Sequence, residues 1–289
     1  MTLPLAIVLG GLGQVGDLIA RALMQREMEV LIVDVLPAPE AIAGRYLQAD
    51  VTRLDDALLR AIASADCVVM CLPARAALAS APAILDAMSR GALWVDTLCV
   101  KQNICSLLRK YEEKLELVSI NPMFAPSLGF AGHSVAFVEI SSGPKGQDFA
   151  GTLRSMGATV EVVTPETHDT LTAAIQVATH AAILSFGVVL LELAYDIEKA
   201  VAIATPPHRT LLSLLHRLST ANPEVYWEIQ HDHPHAVSVR ESLSGAVRAL
   251  DSAAREDSPR EFQKLFERLR LLLLSERKSA VQDAEISQS

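Results

Sequence analysis

Aromatic residues are scarce in this chain: Phe, Tyr and Trp together supply 4% of it. The apolar mass is instead Ala, Leu, Val and Ile, the composition of helices packed against a parallel sheet. Positive charge is short as well, with 25 Lys and Arg against 34 Asp and Glu, a net charge of -9 and a pI near 5.4. That balance argues against a nucleic-acid backbone or an anionic membrane as the main partner. It leaves room for a small anionic substrate, which needs only a few local cations. The four cysteines, Cys67, Cys71, Cys99 and Cys105, sit among apolar residues with no CxxC pair and no zinc spacing. They read as reduced thiols in a cytosolic core. No charged-then-apolar leader opens the sequence, because the run from Leu3 to Leu9 breaks at once into glycines. The longest later apolar run, Ala181 to Leu193, is interrupted by Ser185, Gly187 and Glu192 and reads as a buried helix, in an intrachain core or a dimer core, not a membrane span. A soluble, cytoplasmic protein is the expectation.

What is present is a chain of 289 residues, 51% hydrophobic and 20% charged, enough to bury a core in one large domain or two moderate ones. It has two textures. Up to about Val163, short β-branched runs alternate with helical patterns: Leu5 to Leu9, Val30 to Val33, Cys67 to Met70, Leu93 to Val95, Leu117 to Ile120, Val135 to Val138 and Thr159 to Val163. That alternation predicts βαβ units and an α/β fold with a Rossmann-type, mostly parallel sheet. From Glu166 onward strand signals vanish, and apolar-periodic segments broken at Pro206-Pro207, Asn222-Pro223 and Pro234 predict an all-helical part. Asn222-Pro223 itself reads as a capped helix start with Pro in the first turn. Ser275 to Ser289 is polar and reads as a frayed tail.

The sharpest motif is Gly11-Leu12-Gly13-Gln14-Val15-Gly16, directly after the first strand and opening a helix. Its first glycine permits the tight turn, the second lets the backbone approach a pyrophosphate, and the third lets helix and strand pack closely. The second strand ends at Asp34, about twenty residues on, where a carboxylate takes the adenosine ribose hydroxyls and repels a 2′-phosphate. NAD is therefore the expected cofactor. Leu72-Pro73 and Asp96 to Lys101 lie at the carboxyl ends of two further strands, where open α/β sheets place ligands. Asn121-Pro122 follows another. His168-Asp169, Gln176 and His180 open the helical part. Arg209 and Arg217, eight residues apart on one predicted helix, share a face. His231, His233 and His235 alternate in a Pro-interrupted stretch that does not close a tetrahedral site without a fourth ligand, so no metal is expected.

Taken in order, these stretches resemble the prephenate/arogenate dehydrogenase family along nearly the whole chain. The resemblance is carried by Val8 to Gly16, Asp96 to Lys101, Asn121 to Pro126, Thr167-His168-Asp169 through Gln176 to His180, and Arg209 through Pro223. It implies an NAD-binding domain over 1–165 and a helical substrate and dimerisation domain over 166–289, with the active site between them. It also implies a homodimer; with so few residues before the glycine motif and after the helices, neither a chorismate mutase segment nor a regulatory domain is expected. The family reaction moves a hydride from ring C4 to the nicotinamide while the C1 carboxylate leaves as CO2. By resemblance Arg217 holds a substrate carboxylate, Arg209 supports that site, Lys101 lies near cofactor and substrate, and Gln176 lines the substrate side. His180 orients the substrate from the helices.

Two positions depart from the family pattern. Asn121 stands where the family has the histidine of a His-Pro motif, and Cys99 where it has Ser or Thr two residues before the lysine. The family histidine accepts a hydrogen bond, or the proton, from the C4 hydroxyl. Asparagine takes no proton; its carbonyl only accepts a hydrogen bond. An amine at C4 removes the need for that base, because neutral nitrogen donates its lone pair more strongly than a hydroxyl. The sequence therefore favours 4-amino-4-deoxyprephenate, oxidised to 4-aminophenylpyruvate as in antibiotic pathways that make p-aminophenylalanine. Prephenate or arogenate is the alternative substrate. A non-catalytic NAD-binding protein is the non-enzyme alternative, and retention of Arg209, Arg217 and His180 argues against it. Other hydroxyacid or imine dehydrogenases, which put Lys and Asn four apart on the interdomain helix, are disfavoured by Gln176 and His180 there.

Overall fold

One eight-stranded sheet dominates the computed structural model, which describes residues 3–42, 44–141 and 143–286. The strands are β1 (Leu5–Leu9), β2 (Glu29–Asp34), β3 (Arg45–Gln48), β4 (Cys67–Met70), β5 (Leu93–Asp96), β6 (Glu116–Pro122), β7 (Ser134–Ser141) and β8 (Thr159–Val162). Their order across the sheet is β3-β2-β1-β4-β5-β6-β7-β8, and every neighbouring pair is parallel except β6 and β7. Chain order reverses between β1 and β4, which puts the ligand crevice at their carboxyl ends. Those ends are the glycine turn and Cys71-Leu72-Pro73.

Helices α1 (Gln14–Met24), α2 (Asp56–Ser64), α3 (Ala74–Ala87), α4 (Gln102–Leu108) and α5 (Pro144–Ser155) bury the sheet on both faces. Alternation along β1 sorts Ile7 and Leu9 into one core, with Leu58, Ile84 and Ile104, and Ala6 and Val8 into the other, with Ile19 and Phe149. β3, read Arg-Tyr-Leu-Gln, gave no strand signal because it is a half-exposed edge strand with only four residues. β7 runs antiparallel for a local reason. Between Met123 and His133 the chain forms only a one-turn 3-10 helix, Pro126–Leu128, too little for the crossover that a parallel neighbour needs.

Beyond β8 come α6 (Pro165–Thr172), a π-helical turn (Ala173–Ala178), α7 (Thr179–Glu192), α8 (Ile197–Ile203), α9 (Pro206–Ser219) and α10 (Pro223–Asp232). Asn222 caps α10 by accepting from the Glu224 N–H at 3.0 Å, with Pro223 in the first turn, as its sequence predicts. These helices belong to the same compact unit as the sheet, which runs to Ala236; α11 (Ala236–Arg255) and α12 (Arg260–Ile286) form a second unit from Val237. Strand gives way to helix at 165, yet compactness carries past that point because polar contacts tie the first helices to the sheet. Two expectations need correction. The tail from Ser275 is helical to Ile286, and 287–289 lie outside the described residues. The apolar run of α7 is not buried within the chain: Leu191 is 81% exposed and Val188 53%.

Candidate active site

At the glycine turn, the Gly10 N–H donates to the Val33 carbonyl at 2.8 Å and the Gly13 N–H to the Gly10 carbonyl at 3.1 Å. A Cβ on Gly16 would collide with Gly10 and Gly11 backbone, so the third glycine is needed for helix and strand to approach. Gly13 caps α1 without a side-chain hydrogen bond, so no capping side chain competes for the first N–H groups of the helix. Asp34 ends β2 beside this turn. Its Oδ2 accepts from the Leu12 N–H at 3.1 Å and its Oδ1 from the Leu36 N–H at 3.2 Å, leaving lone pairs on both oxygens. The residues present fit a dinucleotide: an open helix start for the pyrophosphate and an acid for ribose hydroxyls. Pro73 caps α3, and the Ala74 N–H next to it donates to Glu228 Oε1 of α10 at 3.0 Å.

A buried polar cluster lies at the carboxyl ends of β5 and β6. Lys101 is fully buried, and its ammonium donates to the Leu98 carbonyl at 2.5 Å, Ser119 Oγ at 2.8 Å and the Ile120 carbonyl at 2.7 Å. Three acceptors call for three protons, so Lys101 is an ammonium here although burial pushes its pKa down. Asp96 offsets that cost from 3.8 Å and also accepts from the Ser119 hydroxyl at 2.7 Å. The next residue after Ile120 is Asn121, 2% exposed, with Nδ2 3.1 Å from His168 Nε2. His168 Nδ1 lies 2.8 Å from Asp169 Oδ1. Asp169 in turn accepts from the Lys101 N–H and the Gln102 N–H, each at 3.0 Å. Burial alone would raise this carboxyl; the hydrogen bonds from His168, Lys101 and Gln102 outweigh it and hold it low.

The nucleotide-binding domain of prephenate dehydrogenase matches residues 19–139, and the prephenate dehydrogenase dimerization domain matches 164–270. The chain belongs to the prephenate dehydrogenase family. It is 38% identical, over 92% of its length and 90% of the relative, to a 4-amino-4-deoxyprephenate dehydrogenase from Streptomyces pristinaespiralis. It is 22% identical to a probable arogenate/prephenate dehydrogenase from Methanocaldococcus jannaschii, over 89% of this chain but 58% of that one. Prephenate dehydrogenase from Aquifex aeolicus, solved with hydroxyphenyl propionate and NAD+, superposes with a TM-score of 0.68 over 95% of this chain and 99% of that one at 14% identity.

The other expected site residues of this prephenate dehydrogenase family member fall into three groups. Gln176 and His180 lie on the π-helical turn and the first turn of α7, and each has a buried polar atom, Gln176 Oε1 and His180 Nδ1, without a protein partner among the described residues. Such atoms are satisfied by water or by a ligand, and π turns recur at functional sites. Burial holds His180 below its usual pKa, so it is neutral, with its ring edge-on to Tyr226 at 4.9 Å. Arg209 and Arg217 stand on α9 and are exposed; neither bonds to the Asn121–His168–Asp169 group. Arg209 donates to the Val201 and Ala204 carbonyls and so closes the end of α8, while Arg217 has no side-chain partner among the described residues.

Lys101 and Cys99 need reinterpretation. Lys101 has no proton left to offer a substrate; it anchors the loop before α4 to the strand that carries Asn121. Burial pushes the Cys99 thiol up, so it is a neutral group and no base. His168, in contrast, touches Asn121 and was not singled out as a site residue. Nothing in a His-Asp pair at a helix start signals a partner 47 residues earlier. His233 is also engaged, with Nε2 3.1 Å from Thr172 Oγ1.

Proposed function

We propose that the protein catalyses NAD-dependent oxidative decarboxylation of 4-amino-4-deoxyprephenate to 4-aminophenylpyruvate, acting as a homodimer. Asn121 carries this reading. It replaces the histidine of the family motif with a group that cannot take a proton, and loss of general-base help costs about 10²–10⁴ in rate. The named Streptomyces relative supports the same substrate. NAD, when bound, supplies the hydride acceptor. The glycine turn admits its pyrophosphate and Asp34 takes its ribose hydroxyls. Asn121 Oδ1 accepts an N–H of the C4 amine, a bond that strengthens as nitrogen acquires iminium character. His180 and Gln176 meet the polar side chain of the substrate, Arg217 binds a carboxylate with Arg209 shaping its helix, and Cys99 lines the floor. Aromatisation drives the loss of CO2, so the chain's work is orientation and charge stabilisation.

The test is NADH formation at 340 nm with NAD and each substrate in turn. We expect kcat/KM for the amino compound to exceed that for prephenate at least about 100-fold. Equal values would remove the argument from Asn121, and turnover of prephenate alone would assign the base to another group.

A further inference from the structure

An asparagine amide has two faces, an acceptor and a donor, and only one of them serves an amine whose lone pair must stay free. Accepting an N–H leaves the nitrogen lone pair available to push hydride out. Donating to that lone pair would tie it up. The orientation of Asn121 is therefore a chemical requirement of the reaction, and this rests on the substrate reading above.

The neighbours of Asn121 decide that orientation. The Asp169 carboxylate accepts two backbone N–H bonds, from Lys101 and Gln102, and as an anion it has nothing to donate. The His168 nitrogen facing it, Nδ1, therefore carries the ring proton. Burial foremost, and the Lys101 ammonium with it, hold His168 below its usual pKa against the pull of Asp169, so the ring is neutral and Nε2 is a bare acceptor. A bare acceptor 3.1 Å away accepts the Asn121 NH2 and rejects the carbonyl. Asn121 makes no other side-chain hydrogen bond among the described residues, so its Oδ1 is left for a ligand. The Lys101 ammonium fixes the backbone beneath by holding the Ile120 carbonyl at 2.7 Å.

We infer that His168 is a positioning residue: held in its Nδ1–H tautomer by Asp169, it locks the Asn121 amide with Oδ1 presented to the C4 substituent. It forms no bond to substrate and moves no proton. Its effect is to make one of two amide rotamers the working one, and a mispositioned contact of this kind costs about 10²-fold.

Two measurements test this on the full chain. Nitrogen NMR of the protein labelled with 15N-histidine, with His168 assigned from the signal missing in His168→Gln, should show a protonated Nδ1 and a bare Nε2 at neutral pH. The opposite tautomer, or a charged ring, overturns the inference whatever the substrate proves to be. Kinetically, His168→Leu removes the acceptor and should lower kcat on 4-amino-4-deoxyprephenate about 10- to 100-fold with KM for NAD unchanged. His168→Gln, which restores an acceptor, should recover part of that loss. A His168→Leu enzyme with wild-type kcat, or no recovery in His168→Gln beside a native tautomer lock, overturns the role in turnover. If the wild type prefers prephenate, the substrate reading fails while the tautomer result still decides the lock.

Discussion

Replacing Asn121 by histidine puts a proton acceptor back on β6, beside a neutral His168 that can still accept an N–H from the new ring. Asn121→His is expected to move the ratio of kcat/KM toward prephenate by about 10²-fold or more, measured on the two substrates side by side. An unchanged ratio would mean that substrate choice is made elsewhere in the pocket. The buried histidines also make a stability statement. His168, His180 and His233 are each held below the usual histidine pKa, burial being the first cause in all three. Around His168 stand Asp169 and Lys101, with Asp96 behind them, and Asp169 also faces His233. Folding favours the neutral rings, so between their lowered values and about 6.5 the unfolded chain binds more protons than the folded one. Stability is complete above about 6.5 and declines as pH falls through that window, by up to about 1.4 kcal/mol per pH unit for each ring. Urea midpoints at pH 7.5 and 5.5 check the sign; a midpoint that does not drop on acidification contradicts it.

At the scale of elements, the turn from β1 into α1 depends on close backbone approach. A methyl at position 16 meets main-chain atoms of Gly10 and Gly11, which cannot swing aside as a side chain would. Gly16→Ala should therefore weaken NAD binding at least about 10-fold and lower the melting temperature by several degrees; fluorescence titration and thermal melts check both. This turn was legible in the sequence because its whole logic lies within one strand, one turn and one helix. So was the Asn222 cap, whose donor sits two residues away. β3 was not legible, since four half-exposed residues carry no hydrophobic period. Nor was the lock on Asn121, whose parts come from β6, α6 and the start of α4 and meet only through tertiary folding. Lys101 shows the same limit. Its position at a strand's carboxyl end was plain, but whether its ammonium faces ligand or floor is set by Ser119 and Ile120, which only the paired strands bring beneath it.

The whole chain carries more apolar surface than one copy can hide. Pro165 to Glu192 is long and apolar enough to cross a membrane by composition. Its first turns, however, hold His168 and Asp169, whose charge is bound to the Lys101 and Gln102 N–H groups, and that anchors them against the sheet. Leu171, Ile175 and Leu184 are already exposed along this stretch, and Val188, Val189, Leu191 and Leu193 continue the exposure on and just beyond α7. They fall inside the stretch matched by the dimerization domain, 164–270. Exposed apolar residues concentrated in this way mark an interface, and a second copy of the chain is the proposed cover. Light scattering should then give two copies of 31.1 kDa, about 62 kDa. A Val188→Asp, Leu191→Glu double variant puts two charges where a dry interface would close, which costs several kcal/mol unless they find partners. It should shift the protein to 31 kDa at micromolar concentration, with the glycine turn intact and NAD still bound. A variant that stays dimeric would place the interface on other helices and leave this face without an occupant.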